Sequence, residues 1–189
     1  MSPRRGLDLM VIVEAAAAIA DEHGVQDVTL ASLAQKLGVR SPSLYNHVNG
    51  LKGLRNQLAI YGLKKLTLMM NEVLENNTGD EAMHAVASAY ISFARLHPGL
   101  YELTLRSPDD DDAEYVACAQ QLVEMLINML SHYKLDYDTS IHIVRGFRSL
   151  LHGFASIEQK GGFGMSQSPN DSIKIIVQTY INGLRFHPQ

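Results

Sequence analysis

The chain has 189 residues, 46% of them hydrophobic and 19% charged, with a formal net charge of -4. That much apolar side chain excludes a disordered polymer, and six prolines and fourteen glycines exclude collagen-like or low-complexity character. A single cysteine, Cys118, excludes an intrachain disulfide and a cysteine-rich zinc module, and it fits a reducing compartment. The charge is unevenly spread. Residues 1–65 carry eight Lys and Arg against five Asp and Glu, whereas residues 66–189 carry eight against fifteen. A mildly basic front portion permits a polyanionic partner without demanding one.

Arg4 and Arg5 ahead of an apolar run have the composition of a secretory leader, but Asp8 and Glu14 interrupt that run, which is also too short to cross a membrane. A cytoplasmic protein is expected. Leu9, Ile12, Ala16, Ile19, Ala20 and His23 follow the i, i+3, i+4 rhythm and predict a helix over 9–23, stopped by Gly24. Thr29 predicts the N-cap of a short helix over 30–37 that buries Leu30, Leu33, Ala34 and Leu37, and Gly38 breaks it. Ser41 as N-cap and Pro42 at the first helical position predict a third, very short helix carrying Leu44, Tyr45 and His47, ended by Val48, Asn49 and Gly50.

A long fourth helix is predicted over 51–75, and another over 80–97 with Pro98 and Gly99 as its terminator. A short piece follows over 100–105, then a helix from Ser107 to Tyr133 and one from Asp138 or Thr139 to Gln159. Between 173 and 181 the β-branched residues suggest a strand. Ile173, Ile176, Val177, Tyr180, Ile181 and Leu184 nevertheless keep the helical spacing over twelve residues, and no partner strand is predicted, so a helix over 172–184 is expected. The fold class is therefore all-α. A three-helix head, residues 1–52, is joined by the long fourth helix to a helical body, residues 53–189.

Two short helices separated by Gly38 have the form of a helix-turn-helix, whose turn needs a residue at positive φ and whose second helix must be short and polar outside to enter a major groove. Leu33, Leu37, Val39, Leu44 and Val48 are expected to anchor the pair on the first helix, leaving Arg40, Ser41, Pro42, Ser43, Tyr45, Asn46 and His47 outward. Hydroxyls and helix N-termini hold phosphates, asparagine pairs with adenine, an apolar ring meets a thymine methyl, and arginine forks onto guanine or phosphate. A plain three-helix subdomain with a half-buried tyrosine and histidine is the competing reading of the same spacing.

The run Val28-Thr29-Leu30-Ala31-Ser32-Leu33-Ala34-Gln35-Lys36-Leu37-Gly38-Val39-Arg40-Ser41-Pro42-Ser43-Leu44-Tyr45-Asn46-His47-Val48 resembles the DNA-binding head of the TetR family of transcriptional regulators, and the Ala-rich first helix ending in Glu22-His23-Gly24 fits it too. The resemblance spans residues 9 to about 60. It implies that Thr29 is a phosphate-contacting N-cap, that Ser41, Pro42, Ser43, Asn46 and His47 form the reading face, and that Tyr45 contacts phosphate. Many members carry a lysine at the start of the fourth helix. Here that position is Leu51, and Lys52 beside it or backbone N–H groups at Gly50 are the alternatives for the contact. Leu150 to Glu158 with Gly161-Gly162-Phe163-Gly164 resembles the WHG type of TetR C-terminal domain, with Leu151 in place of the tryptophan.

Other features have plainer readings. Asp109 to Asp112 is an acidic first turn matched to a helix dipole before it is a metal patch. His142 and His152 lie ten apart with no HExxH context, and Cys118 has no resolving partner, so neither a metal nor a redox site is expected. Met69, Met70, Met125 and Met129 suit either a core or an adaptable pocket. No phosphate loop, nucleophile elbow or paired catalytic carboxylates are recognisable, so neither an enzyme nor a cofactor is expected.

Together these observations and the resemblance lead to a homodimeric, ligand-released repressor on a palindromic DNA operator. The candidate ligand residues are Met69, Tyr90, Phe93, Tyr101, Met125, Arg148 and His152. The candidate dimer stripe is Phe147, Leu151, Phe154, Ile176, Tyr180 and Leu184 on the last two long helices. A small molecule is expected to favour a conformer whose heads are too far apart for adjacent grooves, with the fourth helix carrying the change. The alternative is an all-α ligand-binding or protein-interaction module whose head does not bind DNA.

Overall fold

The computed structural model describes residues 7–105 and 112–185. Arg4, Arg5, Ser107, Pro108 and residues 109–111 of the acidic run therefore lie outside the described residues. Among those described, every regular element is helical: α1 Leu9–His23, α2 Leu30–Leu37, α3 Gly50–Leu74, α4 Gly79–Leu96, α5 Pro98–Thr104, α6 Ala113–Met129, α7 Tyr137–Gln159 and α8 Pro169–Arg185. Short 3-10 segments cover Val25–Asp27, Ser41–Asn46 and Leu130–Tyr133. The β-branched end of the chain is α8, as its helical spacing predicts. By packing, the chain divides into two compact units, Met1–Lys64 with Leu96–Val116, and Lys65–Arg95 with Ala117–Gln189.

In the first unit α1 presents Ile12, Val13, Ala16, Ala17, Ile19 and Ala20 to a core that also buries Leu33, Leu44, Val48, Leu54, Leu58, Leu100 and Leu103. Burying each large aliphatic side chain is worth about 1.5–3 kcal/mol. α4 stops ahead of Pro98 and Gly99 as the sequence predicts, but the same pair also opens α5, which starts at Pro98 rather than at Leu100. Proline at a helix's first position loses no hydrogen bond. Gly99 is fixed by proximity, since a Cβ there would lie 2.2 Å from the carbonyl carbon and oxygen of Ala20. Gly99→Ala is thus expected to cost about 1–3 kcal/mol or more, since backbone has no rotamer with which to yield. A thermal melt checks it, at about 2–4 °C per kcal/mol for a chain of this size.

In the second unit α4 buries Val86, Ala87, Tyr90, Ile91, Phe93 and Ala94, α7 buries Val144, Phe147, Leu151, Phe154 and Ala155, and α8 buries Ile173, Val177, Ile181 and Leu184. The N-cap of α7 is Asp136 rather than Asp138 or Thr139, its carboxylate accepting from the Thr139 N–H at 2.9 Å and from the Thr139 hydroxyl at 2.6 Å. Those bonds hold the Asp136 carboxyl below its ordinary pKa. Tyr133 donates to Asp80 at 2.7 Å, and Arg185 pairs with the same carboxylate, tying the start of α4 to the end of α8. Burial first, then the bond to Asp80, pushes the Tyr133 phenol well above its ordinary pKa.

Candidate nucleic-acid interface

Thr29 caps α2 as the sequence predicts. Its hydroxyl accepts from the Ser32 N–H at 3.0 Å while the Ser32 hydroxyl accepts from the Thr29 N–H at 3.0 Å, a reciprocal cap that satisfies two end groups of the helix. Gly38 then takes φ 65° and ψ 31°, and the Val39 N–H reaches back to the Ala34 carbonyl at 3.0 Å. This left-handed C-terminal turn closes the helix within two residues and is costly for any residue bearing a Cβ.

The next element is a 3-10 helix over Ser41–Asn46. Its N-cap is Arg40, and Ser41 lies inside the element with no capping side-chain bond, so Ser41 is not the N-cap that the sequence suggests. A Ser-Pro pair signals a start, but proline at the second position still leaves the cap to the residue before the serine. Leu44 is 0% exposed and pins this short helix, while its chain neighbour Tyr45 is 62% exposed. Arg40, Pro42, Asn46 and His47 are also exposed, and Ser41 and Ser43 are half-buried. Five of the predicted reading residues, Arg40, Pro42, Tyr45, Asn46 and His47, are therefore exposed around a buried anchor at Leu44. Lys52 is exposed in the first turn of α3, and Leu51 beside it is half-buried.

Ser32, Gln35 and Lys36 were not among the predicted site residues. They line a concavity of about 560 Å³ with His23, Asp27 and Thr29. Lys36 lies 3.3 Å from a Glu22 carboxylate oxygen. The Thr-x-x-Ser spacing was the available signal for Ser32. Chemically, this surface offers a guanidinium, an ammonium, an imidazole, an amide, a phenol and hydroxyls on short rigid elements, a set that contacts phosphate oxygens and base edges.

Residues 83–180 match the family model described as tetracyclin repressor-like, C-terminal domain. The uncharacterised HTH-type transcriptional regulator YobS of Bacillus subtilis is 42% identical over 185 residues, covering 97% of this chain and 96% of that protein. The chain belongs to the TetR family of transcriptional regulators. The uncharacterised HTH-type transcriptional regulator Rv0681 of Mycobacterium tuberculosis is 38% identical over 151 residues, covering 79% of this chain and 69% of that protein. A solved structure of a protein of unknown function from Rhodococcus sp. RHA1 shares the fold, with a TM-score of 0.83 at 20% identity, over 98% of this chain and 100% of that one. The chain is thus a TetR-family, DNA-binding transcriptional regulator, and its all-helical fold is the family's.

In this TetR-family body the predicted ligand residues are dispersed. Met69, Tyr90, Phe93, Met125, Arg148 and His152 belong to the second unit, whereas Tyr101 is buried in the first. Phe93 is 0% exposed, Met69, Met125 and His152 are half-buried, and Arg148 is exposed. Met125 lines a cavity of about 730 Å³ whose other walls include Thr67, Asn71, Gln121, Glu124 and Asn128. Among the described residues no group of three or more His, Cys, Asp or Glu is placed to hold a metal ion. No described helix is long and apolar enough to cross a membrane.

The predicted dimer stripe is divided by the structure. Phe147, Leu151, Phe154 and Leu184 are buried within the single chain, with Leu151 2% exposed, so their apolar surface is already covered. Tyr180 is half-buried against Phe147, ring centres 5.4 Å apart, and its hydroxyl donates to the Ile143 carbonyl at 2.7 Å. Ile176 remains open at 36%. A second apolar face of α7, with Ile143, Gly146, Leu150, Gly153 and Ile157 at helical spacing, runs beside the buried one. Ile143 and Leu150 with Ile176, Thr179 and Gly183 of α8 line an apolar groove of about 510 Å³.

Proposed function

We propose that the chain acts in the cytoplasm as a homodimeric repressor that binds a palindromic operator and is released by a small molecule. Residues 1–52 serve as the DNA-binding head and residues 53–189 as the ligand-binding and dimerisation body. Its work is regulation rather than catalysis. The observation that carries this reading is the short helix on which Leu44 is wholly buried while Tyr45, Asn46 and His47 stand exposed directly after the left-handed Gly38 turn.

In this reading Thr29, Tyr45 and Lys52 hold phosphates, Asn46 and His47 meet base edges, Pro42 meets a thymine methyl, and Arg40, Ser41 and Ser43 complete the contact. One head spans too few base pairs for useful selectivity, so two heads about 34–36 Å apart read successive major grooves. The open apolar groove of α7 and α8 supports a two-fold interface centred on Leu150 and Ile176, beside the buried stripe. A ligand shifts the equilibrium only by its differential affinity for the two states.

Selection of bound fragments from the source genome at two salt concentrations tests the reading. A short palindrome should be enriched, and its affinity should fall as salt rises and counterions no longer drive binding. Absence of any enriched sequence at both salts, with ligand-stripped refolded protein, would overturn it.

A further inference from the structure

Thr67, Asn71 and Leu74 share one face at the end of α3. Gln121, Glu124, Met125, Asn128 and Met129 share one face at the end of α6. All eight belong to the second compact unit, and the two faces wall its cavity of about 730 Å³. Neighbouring helices ordinarily close on one another through apolar stripes. Here four of the eight side chains carry a carboxamide or a carboxylate, and the space between the faces stays open.

The walls are graded from floor to rim. Thr67, Ala82 and Met129 are buried and Leu74 and Met125 half-buried, so the floor is mostly apolar. Asn71, Gln121, Glu124 and Asn128 are exposed and make the rim. A volume of this size suits a small organic molecule, whose apolar part is covered while a few polar groups fix its orientation. Thioether side chains adapt to varied apolar shapes.

The rim selects by charge. No lysine or arginine lines the cavity, and Glu124 is its one carboxylate. The stretches that build it, 67–82 and 121–132, hold Glu72, Glu75, Asp80, Glu81 and Glu124 and no lysine or arginine. Arg185 answers Asp80, while Glu72, Glu75 and Glu81 stand exposed. Glu124 accepts from the Tyr137 hydroxyl at 3.1 Å, an uncharged partner that leaves the carboxylate's charge in place. A carboxylate accepts about four hydrogen bonds, so that one does not exhaust it. An anionic ligand would face this charge with no lysine or arginine to offset it. An ammonium has only donors to place, and here a carboxylate and carboxamide oxygens accept them.

We propose that this cavity binds an organic amine, with its protonated amino group held at Glu124 and the carboxamide rim and its apolar part laid over Leu74, Met125 and Met129. This rests on the reading of the body as ligand-binding, and it names the class of ligand.

Calorimetry on the full-length protein, without DNA, tests it with three probes that share one apolar part: 4-phenylbutylamine, 4-phenylbutanol and 4-phenylbutyrate. The amine should bind about five- to tenfold more tightly than the alcohol, and the carboxylate most weakly. Glu124→Gln keeps an acceptor for Tyr137 and should lower amine affinity to that of the alcohol, whose own affinity stays within about twofold. Met125→Trp, which fills the floor, should weaken amine and alcohol alike. The preference for the amine should narrow as salt rises. Absence of amine binding, equal affinity for amine and alcohol, or amine affinity unchanged in Glu124→Gln would overturn the proposal. Adding the amine to the operator complex separates the site from release: an amine that binds at Glu124 yet leaves that complex intact would uphold the site and remove this ligand class as the releasing signal.

Discussion

Replacing Tyr45 and His47 together by alanine is expected to weaken operator binding about a hundredfold or more, at about 1–3 kcal/mol for the His47 base contact and about 1.5–3 kcal/mol for the Tyr45 hydrogen bond to a charged phosphate. In a two-fold dimer each lost contact is lost twice. The folded state should barely notice, since Tyr45 is 62% exposed and Leu44 carries the packing of that short helix. Exposed substitutions of this kind shift stability by about 0.5 kcal/mol at most, so the thermal melt serves as the control. Salt separates the roles further. Losing an uncharged phenol releases no additional counterion, so the slope of log affinity against log salt should hold for Tyr45→Ala, whereas Arg40→Ala should flatten it by about one unit per head if its guanidinium meets phosphate. Operator affinity within about threefold of wild type in the double variant would move base reading away from this helix.

What could be read from the sequence divides along the range of the forces involved. The limits of α1 and α2, the Thr29 cap and the turn at Gly38 are set by bonds between residues at most five apart, and local patterns announce them. The family's head is legible for the same reason, being built from such signals in a fixed order. Pro98 and Gly99 do stop α4, but nothing local announces that they also open α5. Their actual role depends on Ala20, far away in the chain, which needs a residue without a Cβ opposite it. Asp21, whose carboxylate accepts from the Gly99 and Leu100 N–H groups, gives no signal at all, since an acid near a helix C-terminus reads as a solvated charge until α5 is placed against it. The body suffers from a different ambiguity. α7 bears two adjacent apolar stripes, and periodicity ranks Phe147, Leu151 and Phe154 above the smaller side chains beside them. Larger side chains win the core, however, and the open face falls to Leu150, Ile157 and the glycines. The dispersal of the predicted ligand residues follows similarly, because the largest aromatics, Phe93 and Tyr101, are taken up by packing.

That second stripe makes the other strong prediction. Leu150→Glu combined with Ile176→Glu is expected to convert the protein from dimer to monomer in light scattering at micromolar concentration. Both side chains line the apolar groove of α7 and α8, and Ile176 is open in the single chain. An uncompensated charge buried in an interface costs about 3–5 kcal/mol, and two-fold symmetry presents each substitution twice. Tyr180 is a poorer probe than Ile176, because its bond to the Ile143 carbonyl and its packing on Phe147 would confound subunit damage with dissociation. Lys174→Glu supplies the control, since that exposed side chain lies on the far side of α8 from Ile176 and should leave the mass unchanged. If the double variant stays dimeric, the interface uses another surface. If it becomes monomeric with its helical content intact, palindrome affinity should collapse toward that of a half-site, because a single head retains its contacts but loses the second head's effective concentration. The two measurements together distinguish a dimer that merely forms from a dimer through which the operator is read.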